Sequence, residues 1–205
     1  MRKTAVIVGN GKLHRDLSEI VDNAEFAMRF EEPKASIGLS GSRTDVLMLA
    51  ASSKRMPRRL IDPAFLTSAT FKAAKKIVLA YHPGIFGRHS RRSRVLQRLK
   101  GRRKGDWMMR MIKLAGATGK EIRIMPPQFY IDGCAELGVA ECQKRPATPS
   151  VGFFGIRYVL SILSACEWEV KLCGFSWDGW KRHSLLDERR WVEDKMASGR
   201  ISILA

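Results

Sequence analysis

The chain has 205 residues, 45% of them hydrophobic, enough to bury a core and better suited to one domain over residues 1–205 than to two. Thirty-seven Lys and Arg against 20 Asp and Glu give a formal charge of +17, so part of the surface should meet an anionic partner. Four cysteines without a CxxC pair argue against a zinc site or a disulfide framework and fit a reducing cytoplasm, and the longest apolar stretch, 151–166, is too short to cross a bilayer and carries Arg157.

In chain order, TAVIVG (4–9) is a continuous apolar run of buried-strand length that stops at Gly9-Asn10-Gly11, and LHRDLSEIV follows with helical spacing. EFAMRF (25–30), RTDVLMLA (43–50), KKIVLAYH (75–82), EIRIMP (121–126) and EVKLCGFS (169–176) are further short strand-like runs. Helical patterns separate them, around 61–75, 106–116, 128–140, 151–166 and 185–197. The alternation predicts an α/β fold, a Rossmann-like parallel sheet flanked by helices. In such sheets ligands sit beyond the carboxyl ends of the strands, where the loop after the first strand and the loop after the last long strand can meet.

Nine of the cations fall in RHSRRSRVLQRLKGRRK (88–104), which contains no acid. This basic arm, about 86–105, lacks interleaved aromatics for base stacking and matches no nucleic-acid motif, so it reads as a solvated arm or one facing an anionic membrane surface rather than as a nucleic-acid site. CQKRPATPS, in the 140–150 stretch, reads as an exposed loop.

Three stretches carry candidate chemistry. Gly9-Asn10-Gly11 after a strand reads either as a tight turn or as a turn that brings backbone amides to a phosphate at a helix N-terminus. The third glycine of a dinucleotide fingerprint is missing where His14 stands, although Glu31 lies where a ribose-binding acid would. Pro149-Ser150 followed by Gly152 opens a second helix, with Ser150 as a simple N-cap or as a hydroxyl offered to a phosphate. Behind it, Phe153, Phe154, Tyr158 and Leu160 read as packing residues. In KRHSLLDERRW (181–191), Ser184 and Asp187 have capping-box spacing, which puts His183 at N′ and Glu188 at N4, two positions that meet at the start of a helix.

In sequence order, VIVGNGKL, IVDNAEFAMRF and GSRTDV, then PSVGFFGIRYVLSILSACEWEVKLCGF, then HSLLDE resemble the motifs of the eukaryotic-type sialyltransferase family, over roughly half the chain. The resemblance implies a variant of the GT-A glycosyltransferase fold and an inverting, metal-free transfer. An acidic sugar, sialic acid or Kdo, would pass from a CMP-sugar donor to a glycan or glycolipid acceptor. Gly9, Asn10 and Gly11 would hold the donor's phosphate and ribose region, and Ser150 and Gly152 would complete the nucleotide pocket. His183 would be the general base with Glu188 beside it. Independently, no Asp-x-Asp pair is present to hold a divalent cation.

The chain departs from the family pattern at Glu31, where the family has an asparagine. The stretch between Gly174 and His183 is also too short for the family's aromatic-histidine motif, so neutralising the leaving phosphate would fall to Lys181, Arg182 or the arm. Alanine at position 5, in place of the family's cysteine, fits a bacterial-type cytoplasmic enzyme that could lie against the inner face of the membrane. Two other readings of the residues stay open: a Rossmann-like NAD(P)-binding protein using the glycine turn and Glu31, and a basic nucleic-acid or membrane-binding module.

Overall fold

The computed structural model describes residues 1–32, 38–50, 56–83, 85, 107–139, 149–177 and 185–204. The basic arm and residues 181–183, with the candidates Lys181, Arg182 and His183, lie outside them.

Seven parallel strands form one sheet: β1 (Lys3–Val8), β2 (Phe26–Phe30), β3 (Val46–Leu49), β4 (Lys76–Leu79), β5 (Glu121–Ile124), β6 (Trp168–Cys173) and β7 (Ile201–Ile203). Their order is β5-β4-β3-β2-β1-β6-β7. The chain therefore builds outward from β1 to β5, then returns to lay β6 on the other side of β1. That reversal places the topological switch point between β1 and β6, where open α/β sheets bind ligands.

The central strands are apolar on both faces because helices cover both. Ala5, Val6, Ile7 and Val8 are each at most 1% exposed. The connecting helices are α1 (Ser18–Asp22), α2 (Met56–Arg59), α3 (Pro63–Thr67), α4 (Ala69–Ala73), α5 (107–117), α6 (Pro127–Glu136), α7 (Val151–Ile162) and α8 (Leu185–Ala197). On one face Ala5, Ile7, Met28 and Phe30 pack against Tyr130 of α6, Phe153 and Phe154 of α7 and Trp191 of α8. On the other, Val6, Val8 and Ala27 pack with Val21 of α1, and Leu47 and Ile77 pack with Phe65, Phe71 and Met111 of α3, α4 and α5. Among the described residues no helix is long and apolar enough to cross a membrane.

The predicted architecture holds, and the differences have local causes. The helical pattern over 61–75 is two short helices, because Ser68 adopts an extended ψ of 145° and its hydroxyl accepts the Phe71 N–H, starting α4 afresh. The helix expected over 128–140 stops at Glu136, with Gly138 in the left-handed region at φ 66°. α2 and β7 are additional elements. β7 is only three residues long, and its register comes from β6, through the Val170–Ile201 to Leu172–Ile203 pairing, rather than from a pattern of its own.

α7 approaches β2 closely at Gly155, where a Cβ would lie 2.1 Å from Phe30 Cε1. Phe30 in turn stands edge-on to Phe175, with ring centroids 6.0 Å apart, so its ring is held from behind. Gly155→Ala should therefore cost about 1–3 kcal/mol of stability. Gly116→Ala, in α5 with open space around the new methyl, should gain about 0.5–1 kcal/mol. Urea denaturation of the two variants checks both signs.

Candidate functional site

The loops after β1 and β6 are joined backbone to backbone. The Gly9 amide donates to the Cys173 carbonyl at 2.8 Å, and the Gly11 amide donates to the Gly174 carbonyl at 2.6 Å. A Cβ on Gly9 would lie 2.2 Å from the Gly174 oxygen, and one on Gly11 would lie 2.7 Å from it. Both positions thus exclude a side chain by contact with the opposite loop, while Gly174 itself has a φ of 66°.

The expectation that this turn lies at a helix N-terminus is corrected here. α1 begins only at Ser18, spans five residues, and follows a loop fixed by the Leu17 N–H donating to the Leu39 carbonyl. The Gly9 and Gly11 amides are engaged within the chain. Asn10, between them, is exposed, and its side chain has no hydrogen-bond partner among the described residues.

The predicted second helix opens where expected. Ser150 caps α7: its hydroxyl accepts the Phe153 N–H at 3.0 Å. That hydroxyl also donates to Glu188 Oε2 at 2.6 Å, and the Ser150 amide donates to Glu188 Oε1 at 2.7 Å. Glu188 is 1% exposed. Its carboxylate grips Ser150 with both oxygens at the positive end of the α7 dipole, and so ties α8 to the mouth of α7. The N–H groups of Val151 and Gly152, in the first turn, have no acceptor among the described residues.

Tyr81 supports the same mouth from the end of β4, its hydroxyl donating to the Pro149 carbonyl at 3.1 Å. Burial, with the charges of Glu31 and Glu188, pushes its phenol above the ordinary range, so it stays a donor.

Phe175 joins the two turns. A Cβ on Gly9 would lie 3.1 Å from Phe175 Cδ2, and one on Gly152 would lie 3.1 Å from Phe175 Cε1. The ring therefore fills the space between the β1 turn and the α7 mouth, and both glycines are sized to it. In the sequence Gly174-Phe175 only closes the second family-like stretch; its wall role depends on contacts with Gly9 and Gly152 from two separated loops. Nothing in the sequence pointed to Tyr81.

Glu31 has φ 52° at the end of β2. Its Oε1 accepts the Ala50 N–H at 2.5 Å and its other oxygen pairs with Arg59, which is fully buried; Arg59 Nε also meets Glu32 Oε1 at 2.6 Å. The charge of Glu31 is thus neutralised within the fold, and its carboxylate holds the ends of β2 and β3 to α2. The ribose-binding alternative loses its acid.

Asp22, Arg29 and Arg43 likewise build scaffold. Arg29, 2% exposed, donates to Ser40 Oγ at 2.9 Å and to the Arg43 and Gly41 carbonyls at 3.0 Å each, while Asp22 Oδ1 accepts the Ser42 and Arg43 amides. Burial lowers the Arg29 pKa, but the ring of carbonyls keeps the charge hydrogen-bonded. Burial also pushes the nearby Cys173 thiol up to about 11, against the pull of Arg29.

The fold, one parallel seven-stranded sheet flanked by helices, is shared with solved sialyltransferases. Two solved structures show the likeness. A mammalian sialyltransferase superimposes with a TM-score of 0.56 at 16% identity, over 99% of this chain and 69% of that one. The sialyltransferase CstII from Campylobacter jejuni, in complex with CMP-3FNeuAc, superimposes with a TM-score of 0.57 at 12% identity, over 98% of this chain and 78% of that one. In sequence, the chain is 25% identical over 208 residues to the urease operon 23 kDa accessory protein of Rhizobium meliloti (strain 1021), covering 97% of this chain and 91% of the relative. No protein-family model matches the sequence.

If Glu188 is the clamp on Ser150, Glu188→Ala and Ser150→Ala should each cost about 2–3 kcal/mol, and the double variant little more than either alone. Denaturation of all three, read as a double-mutant cycle, should give a coupling above about 1 kcal/mol; additive losses would rule the clamp out.

Proposed function

We propose that the chain is a CMP-sugar-dependent glycosyltransferase that moves an acidic sugar, sialic acid or Kdo, to a hydroxyl of a glycan or glycolipid acceptor. The observation that carries this reading is the meeting of the Gly9–Gly11 turn and the α7 mouth on Phe175, at the switch point of the sheet. The reading is supported by solved proteins of the same fold that were crystallised with such ligands: CstII with CMP-3FNeuAc, and with CMP together with a trisaccharide acceptor.

In this reading the nucleotide lies across the mouth of α7. The Val151 and Gly152 amides face its phosphate, Asn10 reaches it from the β1 turn, and Ser150 holds the mouth open through Glu188. Cytidine monophosphate leaves with its charge stabilised by these amides and the α7 dipole, and by Lys181 and Arg182. His183 takes the acceptor hydroxyl's proton as oxygen attacks the anomeric carbon, a role suited to a neutral imidazole near pH 7. Glu188 then acts on His183 through position: it fixes α8, whose first residue follows the histidine segment. The reaction as written needs no metal. The enzyme works in the cytoplasm, and the basic arm at 86–105 holds it to an anionic membrane surface where glycolipid acceptors lie.

Differential scanning fluorimetry with CMP, CTP and NAD(P) separates this reading from the nucleotide-cofactor one: CMP and CTP should raise the melting temperature and NAD(P) should not. His183→Ala should keep the CMP shift while transfer from a CMP-sugar falls by about 10²–10⁴-fold. Stabilisation by NAD(P) alone, or full activity in the variant, would overturn the assignment.

A further inference from the structure

A second cleft, of about 410 Å³, opens at the carboxyl rim of the sheet beside β6 and β7. Its lining draws on both layers: Leu13, Leu17 and Cys173 from under α1, and Leu172 and Phe175 from the side of α7 and α8. Phe175 is its common wall with the nucleotide mouth.

Lys12, His14 and Arg15 come from the loop before α1, and Arg189 from α8, one residue beyond Glu188; no carboxylate lines the cleft among the described residues. Lys12 and Arg15 are exposed and pair with no acid among the described residues. Arg189 shares only its Nε, with Glu193 at 2.8 Å. Unpaired cations in a concave site concentrate their field on whatever enters it. Beside them Phe175 and Trp177, stacked with planes 22° apart and centroids 6.0 Å apart, supply an aromatic part of the lining. A cleft of this size holds a small molecule rather than a protein or nucleic-acid element. Cations beside an aromatic wall suit an anionic sugar, whose ring lies on the aromatics while its charged group meets Lys12 and Arg15.

We propose that this cleft binds the acidic group of the acceptor, a carboxylate- or phosphate-bearing sugar, so that the enzyme extends glycans that are already anionic. The inference rests on the glycosyltransferase reading for the word acceptor. The donor phosphate, in that reading, lies at the α7 mouth, and none of Asn10, Ser150, Val151 and Gly152 lines this cleft. The chain thus provides for a second anion.

The test is saturation-transfer NMR of the whole protein, with CMP present, using sialyllactose, glucose phosphate and neutral lactose as probes. Sialyllactose or glucose phosphate should bind at least about tenfold more tightly than lactose, and Lys12→Glu/Arg15→Glu should abolish that preference. Whichever acidic probe binds identifies carboxylate or phosphate as the recognised group. Arg110→Glu/Lys113→Glu, an equal change of charge on exposed residues of α5, should leave it intact. Equal binding of all three sugars, or a preference that survives the Lys12/Arg15 reversal, or one that the α5 reversal also removes, would overturn the proposal. The CMP melting shift, measured on the same samples, is independent: if it is absent while the acidic preference is present and lost on reversal, the cleft stands as an anionic-sugar site and the donor reading falls.

Discussion

Two hydrogen bonds between loops, Gly9 to Cys173 and Gly11 to Gly174, set the geometry on which the site depends. They require backbone to approach backbone so closely that no β-carbon fits at either glycine. Once the loops close in this way, β1 and β6 end at one level and Phe175 is delivered to a fixed place between them. The ring decides how near α7 can come, and Gly152 and Gly155 are small where α7 meets it and Phe30. A backbone contact at the switch point is thereby passed through two aromatic rings to a helix mouth.

Charge inside this protein is organised in the same economical manner. Arg29, Arg59 and Glu188 are all nearly inaccessible to water, and each holds together parts of the chain distant in sequence. Arg29 closes the loop after β2 onto the strand, Arg59 joins α2 to the ends of β2 and β3 through Glu31 and Glu32, and Glu188 joins α8 to α7. Removing one partner of such a pair strands a buried charge or donor, which costs far more than the pair itself contributes. The rim of the sheet is therefore stiff beneath while the residues above it stay exposed: Asn10, Lys12 and Arg15.

How much of this could be read from the sequence follows from the range of each signal. TAVIVG and the five other apolar runs announce their strands because covering both faces demands unbroken hydrophobicity, and their alternation with helices was enough for the parallel sheet. The strand ISI carries no such mark, since three residues beside β6 are defined by pairing alone. Ser150 was legible as a cap from its own neighbourhood. That its hydroxyl and amide both belong to Glu188, 38 residues on, was not, because spacing within one helix says nothing of a carboxylate arriving from another. The Gly-Asn-Gly turn was recognised with two readings open, a tight turn or amides facing a phosphate; its Gly9 and Gly11 amides turn inward to the end of β6. Glu31 misled for a related reason: an acid after the second strand imitates a ribose ligand, and only the fold reveals Arg59 behind it.

Tyr81 gives the architecture one more property. It stands two residues beyond β4, and its hydroxyl holds the carbonyl just before Ser150. The segment after β4 and the entrance to α7 therefore share an anchor, so a strain at the end of that strand reaches Pro149 through a buried hydrogen bond.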